Sequence, residues 1–114
     1  MIPEKFKNCI EACHACADEC KQCSNACLNE SNVKDLVHCI RLNSDCATVC
    51  TMTAKMLASD TPYYLELTEL CGKICRDCSK ACEEHSNFKH CAECAEKCRK
   101  CAEECAAFAE ELIF

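Results

Sequence analysis

Cysteine stands at positions 9, 13, 16, 20, 23 and 27, so that successive thiols are separated by alternating steps of four and three residues. Steps of this kind average about 3.5 residues and put every side chain on one face of an α-helix, the inward seam of a coiled coil or bundle. The same steps recur at Cys71, Cys75, Cys78 and Cys82, and again at Cys91, Cys94, Cys98, Cys101 and Cys105. A sparser set, Cys39, Cys46 and Cys50, falls between them, and in the same register Asn43 and Thr53 fill the remaining inward positions. Four segments that each carry one such stripe have a single economical arrangement, with the stripes turned toward a common axis.

Helix punctuation agrees with four segments. Pro3 suits a first helical turn, and Ser31-Asn32 offers an N-cap with Asp35 in the turn that follows. Asp60 or Thr61 can cap a third helix with Pro62 at its first position, and Ser86-Asn87 separates the third from the fourth. The expected fold is all-α: an antiparallel up-down-up-down four-helix bundle with a Cys-lined core, one domain over 1–114. Its helices are expected over about 3–29, 32–58, 61–84 and 87–111, joined by links too short for anything but antiparallel neighbours.

Eighteen cysteines in 114 residues would ordinarily suggest a disulfide scaffold. Such scaffolds are rich in loops, whereas this chain has one glycine and two prolines. The opening MIPEKFKNCIEACHAC has no apolar leader, so the chain is expected to be cytoplasmic, where structural disulfides are rare. A net charge of −6 without a Lys/Arg cluster argues against nucleic acid, and no apolar run approaches the roughly 18 residues of a membrane span. Leu, Ile, Val and Phe together number only 20, counted as eight, five, three and four. Seam positions normally need larger side chains than Cys to reach native packing density. An interior of empty thiols would be underfilled, and bound metal would complete it.

Thiols at i and i+4 share a helix face, and two thiolates can clamp one ion in a nearly linear arrangement. Soft Cu(I) accepts thiolates at low coordination number. Such pairs are Cys9/Cys13, Cys16/Cys20, Cys23/Cys27, Cys46/Cys50, Cys71/Cys75, Cys78/Cys82, Cys94/Cys98 and Cys101/Cys105. A bis-thiolate Cu(I) site carries a net negative charge that is costly to bury, while one Cu(I) per bridging thiolate is neutral. Ligand counting then gives from about nine ions with unshared pairs to about eighteen with full bridging. Zinc, or cadmium, in a thiolate buffer is the second reading; it prefers four tetrahedral ligands, which a straight helix cannot supply without sharing between helices throughout. Iron-sulfur ligation is weaker still, because no loop wraps a cluster.

Extended beyond the thiols, the seams predict two unlike ends. Ile2, Phe6, Met56, Leu57, Tyr64, Leu67, Phe108 and Leu112 gather at one, as an apolar plug. Cys27, Cys39, Cys82 and Cys91 gather at the other, with His85 one seam step beyond Cys82 and His90 and Asn87 nearby. His85, and with it His90, would present imidazole to incoming Cu(I) at this mouth; the alternative for both is a solvated histidine near a helix end. Asn43 is either an oxygen ligand or hydrogen-bond donor to a thiolate, or a boundary residue bonded to backbone or water. His14 and His38 fall off the seam; Met52 and Met56, thioethers at i and i+4, are either soft ligands or, as the favoured reading, core packing. Enzymatic thiol-disulfide exchange through CxxC pairs such as Cys13/Cys16 or Cys75/Cys78 is disfavoured, because redox pairs sit at helix N-termini and these lie mid-helix.

The segments CIEACHACADECKQCSNAC, CIRLNSDCATVC, CGKICRDCSKAC and CAECAEKCRKCAEEC together resemble the bacterial copper storage proteins, cysteine-lined four-helix bundles that hold many Cu(I) ions. The resemblance covers essentially the whole chain, and absence of a leader is similar to the cytosolic branch. It implies a homotetramer of bundles; storage itself carries the expectation that a copper chaperone or chelator removes the ion.

Overall fold

The computed structural model describes residues 2–108. Four helices follow in order: α1 Lys7–Leu28, α2 Val37–Ala58, α3 Tyr64–Glu83 and α4 Lys89–Ala106. Short 3-10 turns, Glu4–Phe6 and Val33–Leu36, lead into α1 and α2. The helices run alternately up and down, with α1 packed on α2 and α4, and α3 on α2 and α4. No strand occurs among the described residues. The bundle measures 47 × 27 × 17 Å.

The register between helices is regular. Along α1 and α4, Cys9 meets Cys105, Cys13 meets Cys101, Cys16 meets Cys98 and Cys23 meets Cys91, so each step up one seam matches an equal step down the other. Cys39 with Cys82, Cys46 with Cys75 and Cys50 with Cys71 do the same for α2 and α3. The interior is therefore a stack of layers with one residue from each helix. Regular 3/4 spacing on all four helices produces this stack, because equal seam periods keep facing residues in step over the full length.

One layer closes the stack with large side chains. Phe6 and Leu57 are wholly buried and Phe108 nearly so. The Phe6, Tyr64 and Phe108 rings lie 5.2, 5.6 and 6.0 Å apart in tilted and edge-on arrangements. Leu67 is buried too, but Ile2 and Met52 are exposed and Met56 is only half-buried, so neither methionine is a core residue. Leu112 and the end expected for the fourth helix near 111 lie outside the described residues.

The α2–α3 link refines the capping scheme. Asp60 adopts φ 55°; its amide donates to the Leu57 carbonyl, and the Thr61 amide donates to the Met56 carbonyl. These bonds terminate α2 in a Schellman motif with Asp60 at the left-handed position, so Asp60 ends one helix rather than starting the next. Thr61 closes the turn ahead of α3, its hydroxyl accepting the Tyr63 amide at 3.2 Å; the helix itself starts at Tyr64, with Tyr63 at the N-cap position and no side-chain cap, so neither Thr61 as cap nor Pro62 as first residue holds. Asn32 uses its main-chain carbonyl, not its side chain, to accept the Asp35 amide. Because glycine adopts the left-handed conformation without the Cβ penalty, Asp60→Gly should stabilise the reduced apoprotein by about 0.5–1 kcal/mol. Urea unfolding under anaerobic, reducing conditions would read this as a higher midpoint with an unchanged slope.

Candidate metal centre

All eighteen cysteines are free and buried. They lie on the inward stripes of the four helices because α-helical periodicity leaves a 3/4-spaced residue no other face. Within helices, the Sγ atoms of Cys23/Cys27, Cys46/Cys50, Cys71/Cys75 and Cys94/Cys98 are 3.9–4.0 Å apart. Between helices the approach is as close or closer: Cys39–Cys82 3.2 Å, Cys16–Cys46 3.5 Å, and Cys20–Cys98, Cys46–Cys75 and Cys50–Cys75 each 3.6 Å. Cys78 approaches Asn43, and Cys101 approaches Cys13 at 3.7 Å.

These distances assemble quartets whose ligand atoms all fall within 4.8 Å of one another. Three of them, Cys16/Cys46/Cys50/Cys75, Cys16/Cys20/Cys46/Cys98 and Cys20/Cys78/Cys94/Cys98, share members, and Cys13/Cys71/Cys101/Cys105 lies next along the axis. The clamps expected within single helices are thus embedded in a continuous network. Four-thiol groups do form, and each draws its ligands from more than one helix, the sharing that zinc was expected to require; interhelical stagger, which sequence spacing does not specify, creates them.

Asn43 is completely buried in the layer of Cys20, Cys78 and Cys94. Its Oδ1 accepts S–H bonds from Cys78 at 3.0 Å, Cys94 at 3.2 Å and Cys82 at 3.6 Å, while its Nδ2 donates to Cys39 Sγ at 3.7 Å. It is an interior residue that bonds to thiols, rather than a boundary one.

At the end opposite the aromatic plug, the fifth quartet consists of Cys23, Cys27, Cys91 and His90. His90 Nδ1 stands 3.4 Å from Cys91 Sγ, 3.6 Å from Cys23 Sγ and 3.9 Å from Cys27 Sγ. Its Nε2 lies 2.9 Å from Glu30 Oε2, and Phe88 stacks on its ring at 5.4 Å. A carboxylate can only accept, so the proton belongs on Nε2 and the Nδ1 lone pair faces the sulfurs. Burial pushes the Cys91 thiol up to about 12, aided by the neighbouring Cys27, and burial pushes Cys27 up as well. Both therefore hold their protons at neutral pH.

His85 is half-buried, and its main chain rather than its ring closes the turn after α3, donating to the Cys82 carbonyl. α3 ends at Glu83, so His85 lies past the end of its seam, whereas α1–α4 stagger carries His90 to the thiols. Asn87, His14 and His38 are exposed. Glu30, Phe88 and the wholly buried Leu36 also shape this end; seam periodicity carries no signal for them, because they sit in or beside the links where it lapses.

A helical bundle lined from end to end by thiols, closed at one end and histidine-bearing at the other, is a metal-thiolate protein. The family model for copper storage proteins matches residues 2–110, and the chain belongs to that family. It is 41% identical over 88 residues to the cysteine-rich protein YhjQ of Bacillus subtilis (strain 168), covering 77% of this chain and 81% of that one. Among solved structures, Cu(I)-bound copper storage protein BsCsp3 superposes with a TM-score of 0.87 at 38% identity over 91% of this chain and 97% of that one. A cytosolic copper storage protein from Streptomyces lividans, holding five coppers, does so with a TM-score of 0.88 at 40% identity over 91% of each chain.

Proposed function

We propose that this chain sequesters and stores Cu(I), held by the core thiolates Cys9, Cys13, Cys16, Cys20, Cys23, Cys27, Cys39, Cys46, Cys50, Cys71, Cys75, Cys78, Cys82, Cys91, Cys94, Cys98, Cys101 and Cys105. His90 serves as an entry ligand, Asn43 as a polar partner of the thiolates and His85 as a minor contact at the mouth. The observation that carries the reading is the overlap of the quartets: Cys16, Cys20, Cys46 and Cys98 each belong to at least two. Four terminal thiolates around Zn(II) leave two net negative charges, and a cysteine can be terminal in only one such cage, so about four zinc ions would exhaust the array. Bridging Cu(I), one per thiolate, uses every sulfur and leaves the dry core neutral. The mid-helix position of the CxxC pairs supports storage over redox catalysis. Similarity to a cytosolic relative supports a cytoplasmic site, and no helix among the described residues is long and apolar enough to cross a membrane. A homotetramer and exchange with a copper chaperone or chelator complete the proposal.

Anaerobic titration of the reduced apoprotein with Cu(I) against a competing chelator should reach about eighteen equivalents, by one ion per thiolate. The zinc titration should stop near four, by four thiolates per ion. Saturation at one or two copper ions would refute storage. Burial holds the Cys27 and Cys91 thiols above their ordinary range, so Cu(I) bound there displaces protons, and each proton released should weaken apparent binding about tenfold per unit fall in pH. The sign holds throughout the range below about 12, where Cys91 is protonated in the apoprotein. A pH-stat would count those protons directly.

A further inference from the structure

The mouth of the bundle holds two groups of thiols with different surroundings. In one, His90 Nδ1 stands 3.4–3.9 Å from the sulfurs of Cys91, Cys23 and Cys27. The His90 side chain is 23% exposed while these three cysteines are at most 1% exposed, so the imidazole is the part of the quartet that meets solvent. In the other, Cys39 of α2 and Cys82 of α3 approach to 3.2 Å, the shortest thiol–thiol hydrogen bond among the described residues. Asn43 grips both members of this pair: its Nδ2 donates to Cys39 Sγ and its Oδ1 accepts the Cys82 S–H.

The two groups belong to one layer. Seven-residue steps along each seam carry the Cys16/Cys46/Cys75/Cys98 layer to Cys23/Cys39/Cys82/Cys91. Cys23, a member of the histidine quartet, lies against Cys39 of the close pair. The four quartets farther along the axis offer sulfur only. Thiolate sites select cuprous copper, whereas an imidazole also accepts the cupric ion. An arriving Cu(II) therefore finds a ligand at this end, next to sulfurs that it can oxidise.

We infer that the mouth also captures Cu(II) and reduces it, with His90 holding the ion and the Cys39/Cys82 pair supplying the electrons. This rests on the copper-storage reading and extends it from the cuprous ion to the cupric one. Each Cu(II) takes one electron. The second ion completes the oxidation of the pair, the two sulfurs closing to a bond of about 2 Å. Two Cu(II) and two thiols thus give two Cu(I), one disulfide and two protons, which pass from the S–H groups to water. Cys39 and Cys82 lie outside the histidine quartet, so the three thiols beside His90 are left to receive the Cu(I) formed. The conversion is stoichiometric and uses an interhelical pair, unlike exchange through the mid-helix CxxC motifs.

The test mixes reduced, full-length apoprotein with two equivalents of aqueous cupric salt, anaerobically and without added reductant. The cupric electron paramagnetic resonance signal should vanish, two of the eighteen thiols should be lost to a thiol reagent, and peptide mapping should find Cys39 joined to Cys82. His90→Ala should slow loss of the signal about tenfold or more, the scale for losing a metal ligand's support. Cys82→Ala should retain Cu(II) after the parent has consumed it. A cupric signal that persists in the parent, thiols lost without the Cys39–Cys82 link, or either variant reducing as fast as the parent would each overturn the inference. The parent's disulfide map needs no variant, so a variant that misfolds does not blunt the test. Titration of the same preparation with Cu(I) separates the two readings: no uptake refutes storage itself, whereas full uptake of Cu(I) beside an undiminished Cu(II) signal refutes only the reduction.

Discussion

Phe6→Ala is expected to cost the reduced apoprotein about 3–5 kcal/mol, the range for truncating a fully buried phenylalanine. Phe6 is 0% exposed and contacts both other rings of the plug, with centroids 5.2 Å from Tyr64 and 5.6 Å from Phe108. Lys5 adds its ammonium over the Tyr64 ring at 4.2 Å and over Phe6 at 5.2 Å. Most of the remaining interior is cysteine and alanine, which bury little apolar surface each. A domain of this size has roughly 5–15 kcal/mol in total, so loss of one ring should remove a large part of the apoprotein's stability. Urea unfolding without metal would measure it directly. Cu(I) held by thiolates from several helices binds the folded chain and not the unfolded one, so it should raise variant and parent by the same increment. The loaded variant should therefore stay folded where the empty one unfolds, while still melting below the loaded parent. A cost below about 1 kcal/mol would mean that the thiol stack, not the aromatic layer, holds the empty bundle together, against the large-to-small expectation.

What could be read in the sequence is what helical periodicity fixes. The inward direction of a side chain depends on its position in the turn, so the cysteines, Asn43, Thr53 and the Phe6, Leu57, Tyr64 and Phe108 plug all follow from extending the seams. Relative stagger of the helices does not follow from any one seam. Interhelical quartets such as Cys13/Cys71/Cys101/Cys105 depend on it, as does the meeting of His90 with Cys23 and Cys27. Links escape periodicity altogether: the Val33–Leu36 turn buries Leu36, and the turns flanking α1 and α4 bring Glu30 and Phe88 to either side of His90. Asp60 was legible as a boundary residue but not as the left-handed end of α2, since a cap before Pro62 and a stop after Ala58 use the same few residues. Thr53 was legible as inward; that its hydroxyl would forgo the usual backbone carbonyl was not.

The division between periodic interior and irregular mouth leads to the largest kinetic expectation. His90→Ala should slow the first Cu(I) equivalents delivered by a chelator by about 10–100-fold, the scale seen when a metal ligand's immediate support is lost. The reason lies in what is available to an arriving ion. Burial keeps Cys27 and Cys91 protonated, so neither sulfur can bind without first losing a proton. The Nδ1 of His90 can, because Glu30 holds the ring's proton on Nε2 and leaves the lone pair facing three sulfurs 3.4–3.9 Å away. Copper caught there would sit beside Cys23, Cys27 and Cys91 and would lower the cost of their ionisation. Capacity depends on the eighteen thiolates rather than on the imidazole, so His90→Ala should still fill to the parent's stoichiometry when copper is in excess. Glu30→Gln keeps a partner near Nε2 but no charge, and should slow uptake by roughly tenfold, the lower end of the same scale. His85→Ala should have a smaller effect than either, its ring having no hydrogen-bond partner among the described residues. Stopped-flow mixing of apoprotein with a coloured Cu(I)-chelator complex gives all three rates. Equal rates for His90→Ala and the parent would place copper entry elsewhere than at this end of the bundle.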